Sequence, residues 1–417
     1  MQTGDIVDLD VTGVAHGGVF IARHREQGEE RPLVVFVPDA IPGERVRARI
    51  TQAKRSFARA EALEVLDASP HRRTHVWRAA DIDRAPEDRP GGADFGHIDL
   101  AHQRALKRTV IEEAFERFAG GSVPVTVDPA GVDEDARGAR WRTRVGLHVD
   151  GEGTVGAFAA RSRRVAPAPD LPLATEAIER AALGLRGERE GRIDLVQPED
   201  GRVRVLRRPA DRRARRTPAG AVVEKVGERE FRVDADGFWQ VHRLAPGALD
   251  AAVRDALSEL PVEDGARHLD LYGGVGLFAS ALGAHGDRAR VTTVESAPAA
   301  TRHAAENLRD LGVEAVTARV ERYVQSLARD ADAERLAAIG RGVTLLDPPR
   351  SGAGEEVVQA ISDLGPRAVV YVACDPVALA RDVGAFRARG YDADRVRGLD
   401  LFPSSHHVEA IVVLTRR

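Results

Sequence analysis

The stretch RHLDLYGGVG at residues 267–276 decides the fold of this 417-residue chain. An apolar strand that ends in closely spaced glycines and runs into a helix is typical of α/β sheets that bind a ligand beyond the strand ends. Strand and helix patterns alternate from there to the C-terminus. The expected strands lie at residues 267–272, 290–295, 315–318, 343–346, 368–373, 395–402 and 408–414.

The last two expected strands, 395–402 and 408–414, have only a short loop between them. A short loop allows antiparallel pairing and excludes a right-handed helical crossover. Alternating strands and helices that end in an antiparallel hairpin describe the seven-stranded class I methyltransferase sheet, which differs from the all-parallel dinucleotide-binding fold. The sequence therefore predicts an α/β domain over residues 236–417.

Two further domains precede this one. Residues 1–70 contain short alternating strands separated by glycine turns, which predicts a small OB-like β-barrel. Arginines on one face of its strand at 45–50 would give the barrel a modest basic surface. Residues 71–235 are less regular, with one amphipathic helix at 102–118 and several strands, and predict a central α+β domain.

Composition narrows the function class. The net charge is -4, and the chain has one cysteine, Cys374, which excludes an internal disulfide and any all-cysteine zinc or iron–sulfur site. We expect no metal site and no membrane span, and with no secretory signal we expect the cytoplasm. Basic charge is concentrated in residues 202–216, which is either a solvated surface hairpin or a ribbon that contacts phosphates.

Three candidate binding residues follow the ends of expected strands. Gly274 belongs to the loop where the backbone approaches a cofactor, and Glu295 ends the second strand, where an acid accepts hydrogen bonds from ribose hydroxyls. Asp347 opens the sequence DPPRSG directly after the strand at 343–346. Because ligands bind beyond the carboxyl ends of such strands, we expect these side chains to share one pocket.

Two candidate catalytic residues come later in the chain. Cys374 ends the strand at 368–373, and Asp375-Pro376 then begins a helix. A thiol beside a helix N-terminus should have a lowered pKa, which favours a nucleophile. Glu409 begins the last strand, where the hairpin would turn its carboxylate over the sheet edge as a general base.

These parts suit one reaction. Carbon 5 of uracil is a poor nucleophile, but adding a thiolate to carbon 6 makes an enolate that attacks a sulfonium methyl group. The enzyme must then remove the carbon-5 proton and expel the thiol, which requires a cysteine, a base, an acid that orients the ring and a cofactor pocket. Cys374, Glu409, Asp347 and the pocket from Gly274 to Glu295 match this list, and the target base must leave its stack.

The chain also resembles a known family. YVACDPVALARD at 371–382 looks like the cysteine motif of the TrmA/RumA-type RNA 5-methyluridine methyltransferases, and residues 402–409 look like their closing motif. FWQVH at 238–242 resembles the segment with a cofactor-contacting glutamine, and residues 1–70 resemble a TRAM RNA-binding domain. The resemblance implies S-adenosyl-L-methionine as cofactor. It implies contacts with that cofactor for Gln240, Tyr272, Glu295 and Asp347, and the roles of nucleophile and base for Cys374 and Glu409.

The sequence departs from the family in places. Many relatives hold an iron–sulfur cluster through four cysteines, and residues 90–97 lack them. Gly273 replaces a frequent cysteine, and Val320 stands where an acid or amide would contact adenine.

We expect a monomer that methylates structured RNA. By analogy with relatives that carry a TRAM domain, 23S ribosomal RNA is the preferred substrate, ahead of a transfer RNA T-loop. Alternatives are a cytosine-5 or amino methyltransferase and a non-catalytic RNA-binding homologue.

Overall fold

The N-terminal part of the chain forms a closed five-stranded barrel. The computed structural model describes residues 1–24, 32–132, 134–211, 219–286 and 290–416. The strands join in the order β1-β2-β3-β5-β4. Alternate side chains of each strand fill the interior because successive residues point to opposite faces. The strands are β1 (Ile6–Ala15), β2 (Val19–His24), β3 (Leu33–Val37), β4 (Arg45–Ala53) and β5 (Phe57–Asp67).

The expected basic face of the barrel carries acidic partners. Arg47 Nε donates to Asp8 Oδ1 at 3.0 Å, and its Nη1 lies 3.4 Å from Glu64 Oε2. Arg49 donates to Glu61 at 3.0 Å. The sequence indicated the arginines on this face, but the pairing across β1 and β5 depends on barrel closure. The surface is therefore less basic than expected.

The central part of the chain contains a long helix, a strand and a five-stranded antiparallel sheet. The sheet order is β11-β10-β7-β8-β9, and a separate hairpin pairs β12 with β13. The elements are α1 (Leu100–Phe118), β6 (Val125–Pro129), β7 (Arg144–Val149), β8 (Val155–Phe158), β9 (Val165–Pro167), α2 (Glu176–Leu183), β10 (Gly191–Val196), β11 (Arg204–Pro209), β12 (Ala221–Val226) and β13 (Arg229–Asp234).

The C-terminal part forms the predicted α/β sheet. Its helices and strands are α3 (Ala245–Ser258), β14 (Arg267–Leu271), α4 (Leu277–Gly283), β15 (Arg290–Glu295), α5 (Pro298–Asn307), β16 (Glu314–Thr317), α6 (Val320–Asp330), α7 (Ala333–Gly340), β17 (Val343–Leu346), α8 (Glu355–Leu364), β18 (Ala368–Ala373), α9 (Pro376–Arg387), β19 (Tyr391–Asp400) and β20 (Glu409–Arg416).

The strand order of this sheet is β16-β15-β14-β17-β18-β20-β19-β6. All seven C-terminal strands occur as predicted, with β20 antiparallel to both β18 and β19. Strand β6, from the region assigned to the central domain, pairs in parallel with β19 and adds an eighth strand. The sequence gives no sign of this pairing because β6 lies more than 250 residues from its partner in the chain.

Helices cover both faces of the sheet. Every residue of β17 and β18 is buried, as expected for parallel strands between two helical layers. Helix α1 contacts α9, so a helix of the central region completes one of those layers. None of the helices in the described part of the chain combines the length and apolar character of a membrane span.

A buried ion pair joins the central region to the terminal hairpin. Lys107 of α1 donates to Asp400 at the end of β19 and to the Phe402 carbonyl, and neither charged side chain is exposed. Arg104, one turn earlier on α1, donates to the second carboxylate oxygen at 3.2 Å. Buried ions are stable only when paired and hydrogen-bonded, so this contact fixes how α1 sits against the hairpin.

We expect Lys107→Met to lower the free energy of unfolding by about 3 kcal/mol, because Asp400 would remain buried with only Arg104 as its cationic partner. The matched control is Arg108→Met, since Arg108 is the next residue of α1 and forms an exposed i,i+4 pair with Glu112. That control should change stability by less than about 1 kcal/mol. Urea unfolding of the two variants measures the difference, and equal losses would contradict a special role for the buried pair.

Candidate functional site

The carboxyl ends of β14, β15, β17 and β18 meet at one edge of the sheet because these strands pair in parallel. A cavity of about 860 Å³ opens at this edge. Ligand pockets in proteins commonly have this size and position. All seven predicted site residues line this one cavity: Gln240, Tyr272, Gly274, Glu295, Asp347, Cys374 and Glu409.

The glycine loop after β14 has an unusual backbone. Tyr272 adopts a left-handed conformation with φ of 65°, and Gly274 follows with φ of 54°. A Cβ atom on Gly273 would lie 2.0 Å from Thr293 Oγ1 and 2.3 Å from Asp270 Oδ2, so this position accepts only glycine without rearrangement. The loop therefore turns sharply over β14 and β15 and leaves its backbone at the cavity wall.

Glu295, at the end of β15, is tied to this loop. Its carboxylate accepts hydrogen bonds from Gly274 N at 3.2 Å and from Ala297 N at 2.7 Å. Ser296 Oγ donates to the same carboxylate at 3.0 Å. These bonds fix the carboxylate beside the glycine loop, where it also faces the cavity.

Asp347 lies at the end of β17 in a dry environment. Burial raises the pKa of its carboxyl to about 7, and the neighbouring Asp270 adds to the shift. Asp270 itself is fully buried, and burial raises its pKa to about 7 as well. The two acids therefore change charge near neutral pH.

Glu409 begins β20 and is only 6% exposed. Burial and the charge of Asp347 raise the pKa of its carboxyl well above the usual value, while Arg350 acts in the opposite direction. Its Oε2 has no hydrogen-bond partner among the residues that the structure describes. Buried polar atoms are normally bonded, so this oxygen is available to a group that enters the cavity.

Cys374 stands between β18 and α9, but the expected lowering of its pKa is wrong. Burial, together with the carboxyls of Glu409 and Asp347, raises the pKa of the thiol to about 12, against a smaller opposite effect of Arg350. The helix N-terminus is occupied by Asp375, whose carboxylate accepts hydrogen bonds from Val377 N and Ala378 N. Desolvation and adjacent acids outweigh the helix dipole, so the free thiol is protonated.

Arg350 is a site residue that was not among the sequence-based candidates. It lines the cavity and carries a positive charge toward both Cys374 and Glu409. Its Nη2 lies 3.3 Å from His407 Nε2. The position of Arg350 directly after the Asp-Pro-Pro sequence was the available signal.

The opposite end of the cavity lies beside α6. Val320 is buried there, as its apolar side chain requires, and it offers no hydrogen bond. The next residue, Glu321, also lines the cavity and supplies a carboxylate. Val320 therefore cannot supply the side-chain hydrogen bond expected of an acid or amide at its position, but Glu321 places a carboxylate at the same end of the pocket.

The arginine-rich stretch is only partly described, because Arg212, Arg213, Arg215 and Arg216 lie outside the described residues. Arg204 pairs with Asp200 at 2.6 Å. Other arginines of β11 also have acidic partners, so the described half of the stretch is largely neutralised.

Comparisons with known proteins agree with this architecture. The TRAM domain family matches residues 1–63, and the tRNA (Uracil-5-)-methyltransferase family matches residues 255–417. A Streptomyces avermitilis protein described as an uncharacterized RNA methyltransferase is 36% identical, over 99% of this chain and 98% of its own length. The chain belongs to the TrmA/RumA-type family of RNA (uracil-5-)-methyltransferases. It is an RNA methyltransferase, and its cofactor is S-adenosyl-L-methionine.

Two further comparisons extend this result. The 23S rRNA (uracil(1939)-C(5))-methyltransferase RlmD of Chromohalobacter salexigens is 29% identical to this methyltransferase, over 98% of this chain and 89% of its own length. A crystal structure of the Pyrococcus abyssi tRNA (uracil-54, C5)-methyltransferase with S-adenosyl-L-homocysteine covers 98% of this chain and 100% of its own, with a TM-score of 0.67 and 18% identity. At that identity the second likeness supports the fold alone.

The cavity of the methyltransferase fits a cationic nucleoside. Carboxyl groups line the cavity: Glu321 lies beside α6, Glu409 lies at β20, and the carboxylate of Glu295 is held in place by the glycine loop. The unpartnered Oε2 of Glu409 and the raised pKa of Asp347 indicate that Arg350 only partly offsets the acids of this site. A ligand with a positive sulfonium would supply further positive charge.

We predict that S-adenosyl-L-methionine binds the methyltransferase about tenfold more tightly at about pH 8 than at about pH 6. Asp347, with its pKa near 7, is neutral at the lower pH and attracts the sulfonium only when ionised. Asp270 and Glu409 are also acids with raised pKa values near this site, and the charge of Arg350 acts against that rise at Glu409. Calorimetry with Asp347→Asn therefore separates the contribution of Asp347 from theirs. S-adenosyl-L-homocysteine, which is uncharged at sulfur, is the control. An equal pH dependence for both ligands would contradict this account.

The barrel also reaches the cysteine loop. His16, between β1 and β2, hydrogen-bonds Asp375 with Nε2 and Oδ2 3.0 Å apart, and this bond raises the pKa of His16. The sequence offered no signal for this contact, because the two residues are 359 positions apart. Asp375 caps the helix that follows Cys374, so His16 helps to hold the thiol loop.

We expect His16→Ala to lower kcat for methyl transfer by up to about fivefold, the effect of losing a partly exposed ion pair. Affinity for S-adenosyl-L-methionine should not change, because His16 lies outside the cofactor cavity. The control is His24→Ala on the same barrel. Single-turnover rates and calorimetry separate the two quantities. Equal rates for the two variants would show that the contact does not position the loop.

Proposed function

We propose that the methyltransferase adds a methyl group to carbon 5 of a uridine in 23S rRNA through a covalent adduct with Cys374. The observation that carries the proposal is the shared cavity of Cys374, Glu409 and Asp347 at the carboxyl edge of the sheet. In this proposal Gln240, Tyr272, Gly274, Glu295 and Asp347 hold the cofactor. Residues 1–70 and 71–235 bind RNA, and residues 236–417 carry out the transfer.

The first step is addition of the cysteine to the flipped uracil. The Cys374 thiolate bonds to carbon 6, and the electrons of the carbon 5–carbon 6 double bond move toward the carbon-4 oxygen as an enolate. The thiol proton leaves to water beforehand. A positive charge in the cavity favours that ionisation, because the raised pKa of the thiol results from burial and from nearby carboxyls.

The second step transfers the methyl group. Bound S-adenosyl-L-methionine supplies an electrophilic methyl carbon on a positively charged sulfur. Carbon 5 of the enolate would take that methyl group, and the sulfur would keep the electrons of the bond that breaks. Asp347, between the glycine loop and Cys374 along the edge, would orient the ring relative to the cofactor.

The third step restores the aromatic ring. The Glu409 carboxylate takes the proton from carbon 5, the electrons re-form the carbon 5–carbon 6 double bond, and the bond from carbon 6 to sulfur breaks to release the Cys374 thiolate. The unpartnered Oε2 of Glu409 supports this role, since a base needs a free oxygen. Its burial makes it a stronger base than an exposed carboxylate.

Ribosomal RNA is the preferred substrate within this proposal. The RlmD relative from Chromohalobacter salexigens, matched over 98% of this chain, supports it, as does the TRAM match. A transfer RNA T-loop uridine is the second candidate, because the family that matches residues 255–417 is described as tRNA (Uracil-5-)-methyltransferase. We further propose that the enzyme acts in the cytoplasm as a monomer.

Labelled cofactor and unmodified total RNA test the proposal directly. We expect label only in 5-methyluridine and only in 23S rRNA. Label in transfer RNA would select the second candidate, label in another nucleoside would reject the reaction, and an absence of label would favour a non-catalytic RNA-binding protein.

Two substitutions test the adduct. Cys374→Ala should lower methyl transfer by at least about a thousandfold, as is usual for a lost nucleophile. Glu409→Gln should accumulate a covalent protein–RNA adduct that survives denaturing electrophoresis, because the carbon-5 proton can no longer leave. Glu321→Gln, at the far end of the same cavity, is the matched control and should trap nothing. An active Cys374→Ala variant would remove Cys374 from the mechanism.

A further inference from the structure

Two more cavities extend from the cofactor cavity across the central sheet. A cavity of about 410 Å³ shares Gly237 and Phe238 with the cofactor cavity. A third, of about 360 Å³, shares Arg142 and Gly146 with the second. The second cavity therefore adjoins both the cofactor cavity and the third cavity.

Arg142 stands at the wall between the second and third cavities without an acidic partner. Its Nε donates to the Arg144 carbonyl at 3.0 Å, and neither Nη atom has a hydrogen-bond or ion-pair partner in the described ranges of the chain. Burial lowers the pKa of this guanidinium, and no carboxylate compensates for it. Arginine nevertheless stays charged in proteins. The guanidinium lies over the Trp141 ring, 5.7 Å from its centroid, and lines both cavities, so its charge is available to an anionic ligand that enters them.

The other arginines around the second cavity differ in this respect. Arg144 pairs with the buried Glu224 at 2.9 Å and holds the Gly237 carbonyl. Arg192 and Arg208 both pair with Asp194 at 2.7 Å. These side chains already have acidic partners within the protein, so among the described arginines of this cavity Arg142 is the one whose charge remains available to a ligand.

The third cavity also presents an aromatic pair. His148 of β7 and Phe158 of β8 stack with ring centroids 3.5 Å apart and planes 13° from parallel. Burial lowers the pKa of His148, so its ring is neutral at pH 7. Most other residues of this wall are apolar or small. Nucleobases stack on such rings in proteins that bind single strands.

We infer that Arg142 and the His148–Phe158 pair bind one nucleotide of the single-stranded RNA next to the target uridine. The phosphate lies on the Arg142 guanidinium, and the base lies against the ring pair. The exposed Phe238 stands where the first two cavities meet, on the path from this nucleotide to the cofactor cavity. The inference rests on the proposed function, because it assumes a flipped uridine in the cofactor cavity.

Binding of a fluorescein-labelled oligouridylate of about 12 nucleotides, within the site sizes of single-strand binders, tests the inference. Arg142→Gln should weaken binding about tenfold and reduce the slope of log affinity against log salt by about one, since one phosphate contact is lost. Arg142→Lys should recover part of the affinity because it keeps the charge. Arg180→Gln, an exposed and paired arginine on α2, is the matched control and should bind as the wild type does.

A second measurement uses the unaltered protein and does not depend on how the variants fold. An oligouridylate with 4-thiouridine, irradiated on the wild type, should crosslink to the peptide that contains Phe158 or His148. Crosslinks confined to the barrel, or equal affinity and salt slope for Arg142→Gln and wild type, would overturn the inference. Formation of 5-methyluridine by the wild type is measured separately and tests the proposed function, whatever the binding and crosslinking results. If the wild type forms none, the proposed function fails independently of the Arg142 results.

Discussion

The parallel register of β14, β15, β17 and β18 is the constraint on which the site depends. Both faces of these strands are buried against helices. A shift of one residue in the pairing of two strands would move every side chain to the opposite face of the sheet. Their carboxyl ends therefore stop at the same edge. Each of these strand ends carries one candidate site residue: Tyr272, Glu295, Asp347 or Cys374. Parallel pairing alone therefore brings the four residues to one edge of the sheet.

Desolvation sets the charge of that edge. Burial has the largest effect on each group. In addition, Asp270 raises the pKa of Asp347, Asp347 raises that of Glu409, and Glu409 and Asp347 both raise the pKa of the Cys374 thiol. Burial and the neighbouring negative charges thus favour the protonated forms of these acids and of the thiol. A cationic ligand would reverse this balance, which links cofactor binding to the ionisation of the nucleophile and the base. Arg350 already acts in that direction from within the protein.

The other two parts of the chain reach the same edge through specific contacts. Lys107 anchors α1 to Asp400 just before the closing loop of the hairpin, and β6 extends the sheet beyond β19. His16 connects the barrel to Asp375 beside the cysteine. The segments proposed to bind RNA therefore contact the loops that carry Cys374 and Glu409. A movement of the barrel or of α1 on RNA binding would change the positions of these loops.

The sequence by itself determined the barrel, the seven C-terminal strands and seven candidate site residues that the structure brings together in one cavity. It could do so because strand periodicity and strand-end motifs are local, and because parallel strands must end together. Only the tertiary structure decided the pairing of β6 with β19, the neutralised barrel face, the His16 contact and the unpaired Arg142. Each of these depends on residues that are distant in sequence. The pKa of Cys374 was misjudged for the same reason, since the helix dipole is visible in the sequence and the surrounding carboxyls and burial are not.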